Sequence, residues 1–419
     1  MPGKYIVRGG RRIEGALKMH GAKNAVLPIL AASMICGDLT LENCPALSDV
    51  EVALKILGHA GCRTERRGRE ISVMHTGGGS HDIPDTLMAA MRSSIVFLGA
   101  LLARFGQAEV ALPGGCELGP RPIDLHLSAL SQMGAQIREE DGRLCCRAPE
   151  RLHGADILLP FPSVGATENI LIAAATAKGE TVLHGAAREP EIGDLIAFLQ
   201  ACGAEIRNGP DAVLTIRGVE RLHGCRHRVI PDRIAAGTYL CAAAATGGEI
   251  ELTGIEPAHI LSVLAYLTCA GCRVSCGRDG VWLKAPDRLK SMGIIRTQPY
   301  PGFPTDMQAI LMTVSCLAAG TTVFIENIFE NRFRHIPELR KLGARIETAE
   351  RTAVVSGVEE LSGEELSCTD LRGGAAVVLG ALAARGESQI CGIHHIERGY
   401  EDFCGQLSAL GADVVLTDG

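Results

Sequence analysis

Apolar positions along the chain recur in two alternating patterns. Alanine-rich or otherwise apolar stretches of helical length end near Gly37, Gly106, Gly179, Gly247, Gly320 and Gly386. Each is followed by a short strand pattern, as in Glu180-Thr181-Val182-Leu183. A second signature, Leu-x-x-x-Gly-[Ala/Cys]-x-[Ile/Val/Thr], begins at Leu57, Leu130, Leu199, Leu267, Leu339 and Leu407. Its glycines, Gly61, Gly134, Gly203, Gly271, Gly343 and Gly411, lie 68 to 73 residues apart, with a mean of 70. Each glycine reads as the left-handed residue that ends a helix. A strand pattern follows, such as Ala344-Arg345-Ile346-Glu347. Six units of two helices and several short strands make this an α/β chain with a repeat architecture. They fit one solenoid or two three-unit domains, and surface-to-volume scaling favours the split.

Composition narrows the setting. Of 419 residues, 47% are hydrophobic but only 4% aromatic, so the core is built from Ala, Leu, Ile and Val. A net charge of -7 argues against a general nucleic-acid binder. No apolar run reaches transmembrane length, and the first residues lack the apolar region of a signal peptide. A cytoplasmic protein is expected, with its 16 cysteines reduced. Cys269 and Cys272, with Cys276 nearby, resemble half of a zinc site, but no second pair stands at matching spacing. Cys272 occupies a position that is alanine in other units, so it reads as a small packing residue.

Polar residues gather where the small-residue helices start: Lys23-Asn24, Arg92-Ser93, Ser163 to Thr167, Asp232-Arg233, Thr305-Asp306 and Arg372-Gly373. Ser163, Asp232 and Thr305 are explained as N-caps. Lys23, Arg92, Arg233 and Arg372 are not, because a cation is disfavoured at the positive end of a helix dipole. Four such residues point to a bound polyanion. One further segment, Leu112-Pro113-Gly114-Gly115-Cys116-Glu117-Leu118-Gly119-Pro120-Arg121, puts a cysteine among glycines and near a cation. Glycines let the backbone approach a ligand, and the cation favours the reactive thiolate.

Seven segments occur in order: Gly21 to Ala25, Gly114 to Cys116, Arg121 to His126, Pro162 to Thr167, Tyr300 to Asp306, Glu326 to Arg332, and Arg398 to Tyr400. Together they resemble the UDP-N-acetylglucosamine 1-carboxyvinyltransferase family of enolpyruvyl transferases, over essentially the whole chain. The resemblance implies a two-domain inside-out α/β barrel built from six repeated units. It puts one domain at 22–230 and the other at 1–21 plus 231–419, with the active site in the cleft between them. The implied reaction moves enolpyruvyl from phosphoenolpyruvate to the 3-hydroxyl of UDP-N-acetylglucosamine and releases phosphate. It passes through a tetrahedral ketal and opens peptidoglycan synthesis. Neither cofactor nor metal is implied, since arginines can supply the positive charge. The partners are these two small molecules, with no nucleic acid and no membrane, and the chain is expected to act as a monomer.

Residue by residue, the resemblance makes Cys116 the general acid on a closing loop, the thiol that forms a covalent adduct, and the target of the epoxide phosphonate fosfomycin. Asp306 would be the base near the sugar hydroxyl, with Lys23 and Arg398 also catalytic. Lys23, Asn24, Arg121, Arg372 and Arg398 would hold phosphoenolpyruvate. Arg92, Arg121, Pro122, Ile123, Asp124, Leu125, Ser163, Val164, Gly165, Asp306 and Ile328 would line the UDP-sugar pocket. His126 reads as structural, and His395 as either structural or titrating. The sequence departs from the family at Ala235, where an acidic residue is usual, so an ion pair near the domain junction is lost. Phe161 stands where some members carry lysine, and no cationic uridine contact is carried over. Two other readings are the shikimate-pathway relative with the same donor, and a non-catalytic paralogue that binds UDP-sugar.

Overall fold

A computed structural model describes residues 3–112 and 123–417, and at Arg92 the main chain alone. Cys116, Arg121 and Pro122 therefore lie outside the described residues. The fold is mixed α/β, with six sheets among the described residues. In one, Glu180–His184 pairs in parallel with Asp156–Leu158 and antiparallel with Leu214–Arg217, which also pairs with Glu205–Asn208. The same scheme holds around Thr321–Ile325 and around Glu249–Thr253. Strand residues alternate between buried and accessible, as in Thr181 and Leu183 against their neighbours, so each sheet turns one face to the helices.

Contacts divide the chain into two compact units, one of residues 3–20 and 231–417, the other of 21–112 and 123–230. Each has its own apolar core. The N-terminal strands join the first unit through pairing. Lys4–Arg8 lies between Glu387–Cys391 and Asp413–Thr417, and Glu14–Lys18 pairs with Glu249–Thr253.

The alanine-rich stretches are interior helices. In Arg233–Thr246 every residue but Thr246 is buried, and Leu371–Ala383 is nearly as enclosed. A helix apolar on all sides must be covered on all sides, and alanine lets its neighbours come close. No helix among the described residues is long and apolar enough to cross a membrane.

The Leu-x-x-x-Gly signature has a local physical cause. Gly134, Gly203, Gly271, Gly343 and Gly411 all have φ between 90° and 98°. In each case the residue after the glycine donates its N–H to the carbonyl of the signature leucine, as Ala135 does to Leu130 at 3.0 Å. The glycine donates one residue further on, as Gly134 does to Ser131 at 3.0 Å. This is the Schellman helix ending, in which the residue after glycine packs back on the leucine. A small apolar residue is needed there, which explains Cys272. Cys272 is buried, and burial pushes its thiol pKa up to about 12, while Cys269 and Cys276 are exposed.

Candidate active site

In the unit containing residues 231–417, two of the candidate residues, Asp306 and Arg372, meet. Asp306 lies in a short 3-10 turn, Thr305–Met307, that leads into helix Gln308–Cys316. Its Oδ1 accepts from Arg332 Nη2 at 2.8 Å and its Oδ2 from Arg372 Nη2 at 3.1 Å. Both arginine side chains are buried, at 4% and 3% exposed, while that of Asp306 is 27% exposed. Burial alone would raise the carboxyl pKa. The charges of Arg372, Arg332 and Arg233 outweigh it and hold Asp306 well below the usual carboxylate range. It is a carboxylate throughout the physiological range, held between two guanidinium groups.

Arg372 is placed by the start of helix Leu371–Ala383, where Asp370 caps the N–H groups of Arg372 and Gly373. Its guanidinium carbon lies 5.3 Å from the ring centre of Tyr400. The Tyr400 hydroxyl is fixed in turn. Thr238 spends its hydroxyl proton on the carbonyl of Ile234, so Tyr400 donates to Thr238 at 2.9 Å. Beyond Asp306 and the neighbouring Tyr400 hydroxyl, Nε and Nη1 of Arg372 are buried without a well-aligned hydrogen bond among the described residues. A buried guanidinium with open donors is costly to leave so, and its planar fork fits a phosphate or carboxylate.

The segment after strand Thr321–Ile325 is organised by a buried acid. Glu326 accepts from the hydroxyls of Thr297 and Thr305 and from the N–H groups of Ile328 and Phe329, at 2.8 to 3.1 Å. These bonds fix Ile328, which is half-buried, and aim the chain toward Arg332. They also correct one expectation. Thr305 is not an N-cap, because its hydroxyl is committed to Glu326 and Pro304 precedes the turn. Asp232 does cap its helix, accepting from Ile234 and Ala235 at 2.8 Å. Ala235 is fully buried in the core, where an acidic side chain would have no water. Arg398 is half-buried in the turn after Ile393–His395, and the His395 ring lies tilted against that of His394, with centroids 4.1 Å apart.

The other unit carries a second set. Lys23 opens helix Lys23–Ser33, and its ammonium pairs with Asp49 at 2.6 Å, with side chains 10% and 2% exposed. Half-buried Asn24 follows it. The excess of cations at helix starts is thus partly answered by the protein's own acids, Asp49 for Lys23 and Asp306 for Arg372. Ser163 caps helix Val164–Ala174 through the N–H of Ala166, and Val164 and Gly165 are half-buried. Ile123 and Leu125 pack partly against the core, while Asp124 is exposed. A Cβ on Gly165 would sit 3.0 Å from the His126 ring, so a larger residue there would push the imidazole.

His126 is held by Asn169, whose amide donates to its Nδ1 at 2.8 Å and to the carbonyl of Ile95 at 3.0 Å. The Asn169 oxygen accepts from the N–H of Gly99 at 2.6 Å. Burial pulls the His126 pKa down to about 4, so the ring is neutral near pH 7 and serves as structure. Asn169 thus ties together segments that also carry Arg92, Asp124 and Ser163. Asn169→Ala is expected to destabilise the protein by about 3 kcal/mol in urea unfolding. A loss under about 0.5 kcal/mol would contradict the role given to this hub.

Asp49, Arg332, Glu326 and Asn169 were not singled out by sequence reasoning. Asp49 reads as an ordinary acid in a helix's first turn, and Arg332 and Glu326 stand in a matched segment without a stated role.

The family model for EPSP synthase (3-phosphoshikimate 1-carboxyvinyltransferase) matches residues 7–407. UDP-N-acetylglucosamine 1-carboxyvinyltransferase 2 of Caldanaerobacter subterraneus subsp. tengcongensis is 44% identical, over 99% of both chains. UDP-N-acetylglucosamine 1-carboxyvinyltransferase of Novosphingobium aromaticivorans is 47% identical, over 98% of both. Among solved structures, the enolpyruvyl transferase NikO from Streptomyces tendae superposes with a TM-score of 0.90 at 27% identity, covering 100% of this chain and 99% of that one. The chain therefore belongs to the EPSP synthase family and, within it, to the UDP-N-acetylglucosamine 1-carboxyvinyltransferases.

Proposed function

We propose that the protein transfers enolpyruvyl from phosphoenolpyruvate to the 3-hydroxyl of UDP-N-acetylglucosamine, releasing phosphate in the first committed step of peptidoglycan synthesis. The observation that carries this reading is the buried guanidinium of Arg372, with two open donors beside the ionised Asp306. The named relatives, similar over nearly their full length, supply the identity of donor and acceptor.

Chemically, the sugar oxygen adds to C2 of phosphoenolpyruvate while a proton goes to C3. The tetrahedral ketal then loses a proton from C3 and phosphate from C2. Cys116 delivers and recovers the C3 proton, and also forms the covalent adduct. Arg121, Arg372, Arg398, Lys23 and Asn24 hold the phosphate and carboxylate. Arg92, Ile123 to Leu125, Ser163 to Gly165 and Ile328 receive the sugar nucleotide, with Arg121 and Pro122. Asp306 takes the proton of the 3-hydroxyl. With its arginines uncompensated it is a weak base. Anionic substrate on Arg372 offsets that positive field and raises the carboxyl toward a useful basicity, so base strength follows donor binding. The two compact units are read as the two three-unit domains of an inside-out barrel, acting as a cytoplasmic monomer.

Phosphate release with alternative acceptors tests the assignment. Turnover is expected with UDP-N-acetylglucosamine and not with shikimate 3-phosphate, and the reverse would overturn it. Cys116→Ser is expected to lose nearly all alkylation by fosfomycin, read by intact mass. Unchanged labelling would place the reactive thiol elsewhere.

A further inference from the structure

Three cysteines that the mechanism does not use meet in the unit of residues 21–230. Cys202 caps the C-terminal end of helix Pro190–Ala201, and Cys225 directly precedes strand Arg226–Arg228. Their sulfur atoms lie 3.4 Å apart. Cys36, beyond the end of helix Lys23–Ser33, also neighbours Cys202. The main chain holds the pair in place. His223 donates its N–H to the Cys202 carbonyl at 2.9 Å, and Thr40 donates to the Cys225 carbonyl at 3.0 Å. Disulfide formation requires the sulfurs to close to about 2.05 Å, a change within reach of small side-chain rotations.

We propose that Cys202 and Cys225 form an oxidation-sensitive dithiol, a modification site separate from the chemistry of Cys116. The order of events follows from exposure and hydrogen bonding. Cys225 is partly accessible, while Cys202 and Cys36 are buried. A peroxide therefore reaches Cys225 first. Its thiol becomes a sulfenic acid with release of water. The Cys202 thiol then attacks that sulfur, a second water leaves, and the S–S bond forms, with the peroxide as the two-electron oxidant. Cys36 is the weaker partner, because its thiol proton is directed to the Ala32 carbonyl at 3.3 Å.

The reaction is slow at neutral pH. Burial pushes the Cys225 thiol up to about 12, so little thiolate exists near pH 7 and its fraction grows about tenfold per pH unit. In a reducing cytoplasm the pair stays as thiols and responds to strong or sustained peroxide exposure. The closed ring encloses strands Glu205–Asn208 and Leu214–Arg217 and tethers both ends of that segment.

The test uses the full-length protein, treated with hydrogen peroxide, denatured in alkylating reagent and mapped as peptides without reduction. The expected product is a Cys202–Cys225 linkage, reversed by dithiothreitol and absent in Cys202→Ala. Its rate of appearance should rise about tenfold per pH unit below the thiol pKa. Limited proteolysis within residues 203–224 should slow on oxidation. The proposal is overturned if both cysteines remain alkylatable after exposed Cys269 and Cys276 have been oxidised, or if Cys202 links to Cys36 instead.

Discussion

Replacing Arg372 with methionine is expected to lower kcat/KM for phosphoenolpyruvate by about 100- to 1,000-fold, the range seen when one preorganised donor is lost from a site of developing negative charge. Methionine keeps an unbranched apolar stem of similar reach, so packing against Tyr400 is disturbed less than by truncation. The fork of N–H groups disappears with the charge. Nε and Nη1 make no well-aligned hydrogen bond among the described residues, so the loss falls mainly on whatever anion they receive. Lysine at the same position should recover only part of the activity, because a point charge cannot offer two parallel donors. A change in kcat/KM of less than about threefold in the methionine variant, with unfolding unaltered, would remove Arg372 from the site.

Asp306→Asn is expected to lower kcat by about 100- to 10,000-fold, as loss of a general base does. The variant should still bind the sugar nucleotide, which separates a missing proton acceptor from a collapsed pocket. Stability carries a second signature. Asparagine leaves Arg332 and Arg372 buried without their counter-charge, so the variant should unfold at lower urea near neutral pH. The folded-state pKa of Asp306 is depressed, so the unfolded chain takes up the proton first as pH falls. The carboxylate's contribution is therefore complete above its unfolded value of about 3.9 and is lost as pH drops below it. Wild type and variant should differ most in urea midpoint near pH 7 and converge progressively below about pH 4. A gap that stays constant down to about pH 3 would contradict the arginine clamp on Asp306.

Much of the local structure is legible in the amino-acid sequence, and particular residues show why. The Leu-x-x-x-Gly signature encodes a complete helix ending within six residues, so its glycines could be read directly. Asp232 and Ser163 cap their helices through bonds to residues two or three positions on. Alanine-rich stretches foretold helices, and the structure adds that they lie inside the units, as helices apolar on every side must. Thr305 failed as a cap because a more distant partner, Glu326, claimed its hydroxyl. The misses share that character. Asp49 finds Lys23, Arg332 finds Asp306, and Asn169 finds both Gly99 and His126 through tertiary packing that no local pattern records. The sheets show the same limit. The first strand lies between two strands that begin after residue 386, a pairing set by the closing of the fold rather than by neighbours in sequence. Cations at helix starts were legible in the sequence, but it could not reveal that acids of the protein already partner some of them, as Asp49 does Lys23 and Asp306 does Arg372.

Product analysis tests the transfer of enolpyruvyl from phosphoenolpyruvate to UDP-N-acetylglucosamine most directly. Phosphoenolpyruvate labelled with carbon-13 and UDP-N-acetylglucosamine are incubated with the protein, and products are followed by mass spectrometry and carbon NMR. The predicted result is one enolpyruvyl ether on the sugar 3-oxygen, with one phosphate released per ether formed and neither produced by Cys116→Ala. Tight binding of the sugar nucleotide with no labelled ether and no phosphate would contradict it and leave a non-catalytic UDP-sugar-binding protein in its place.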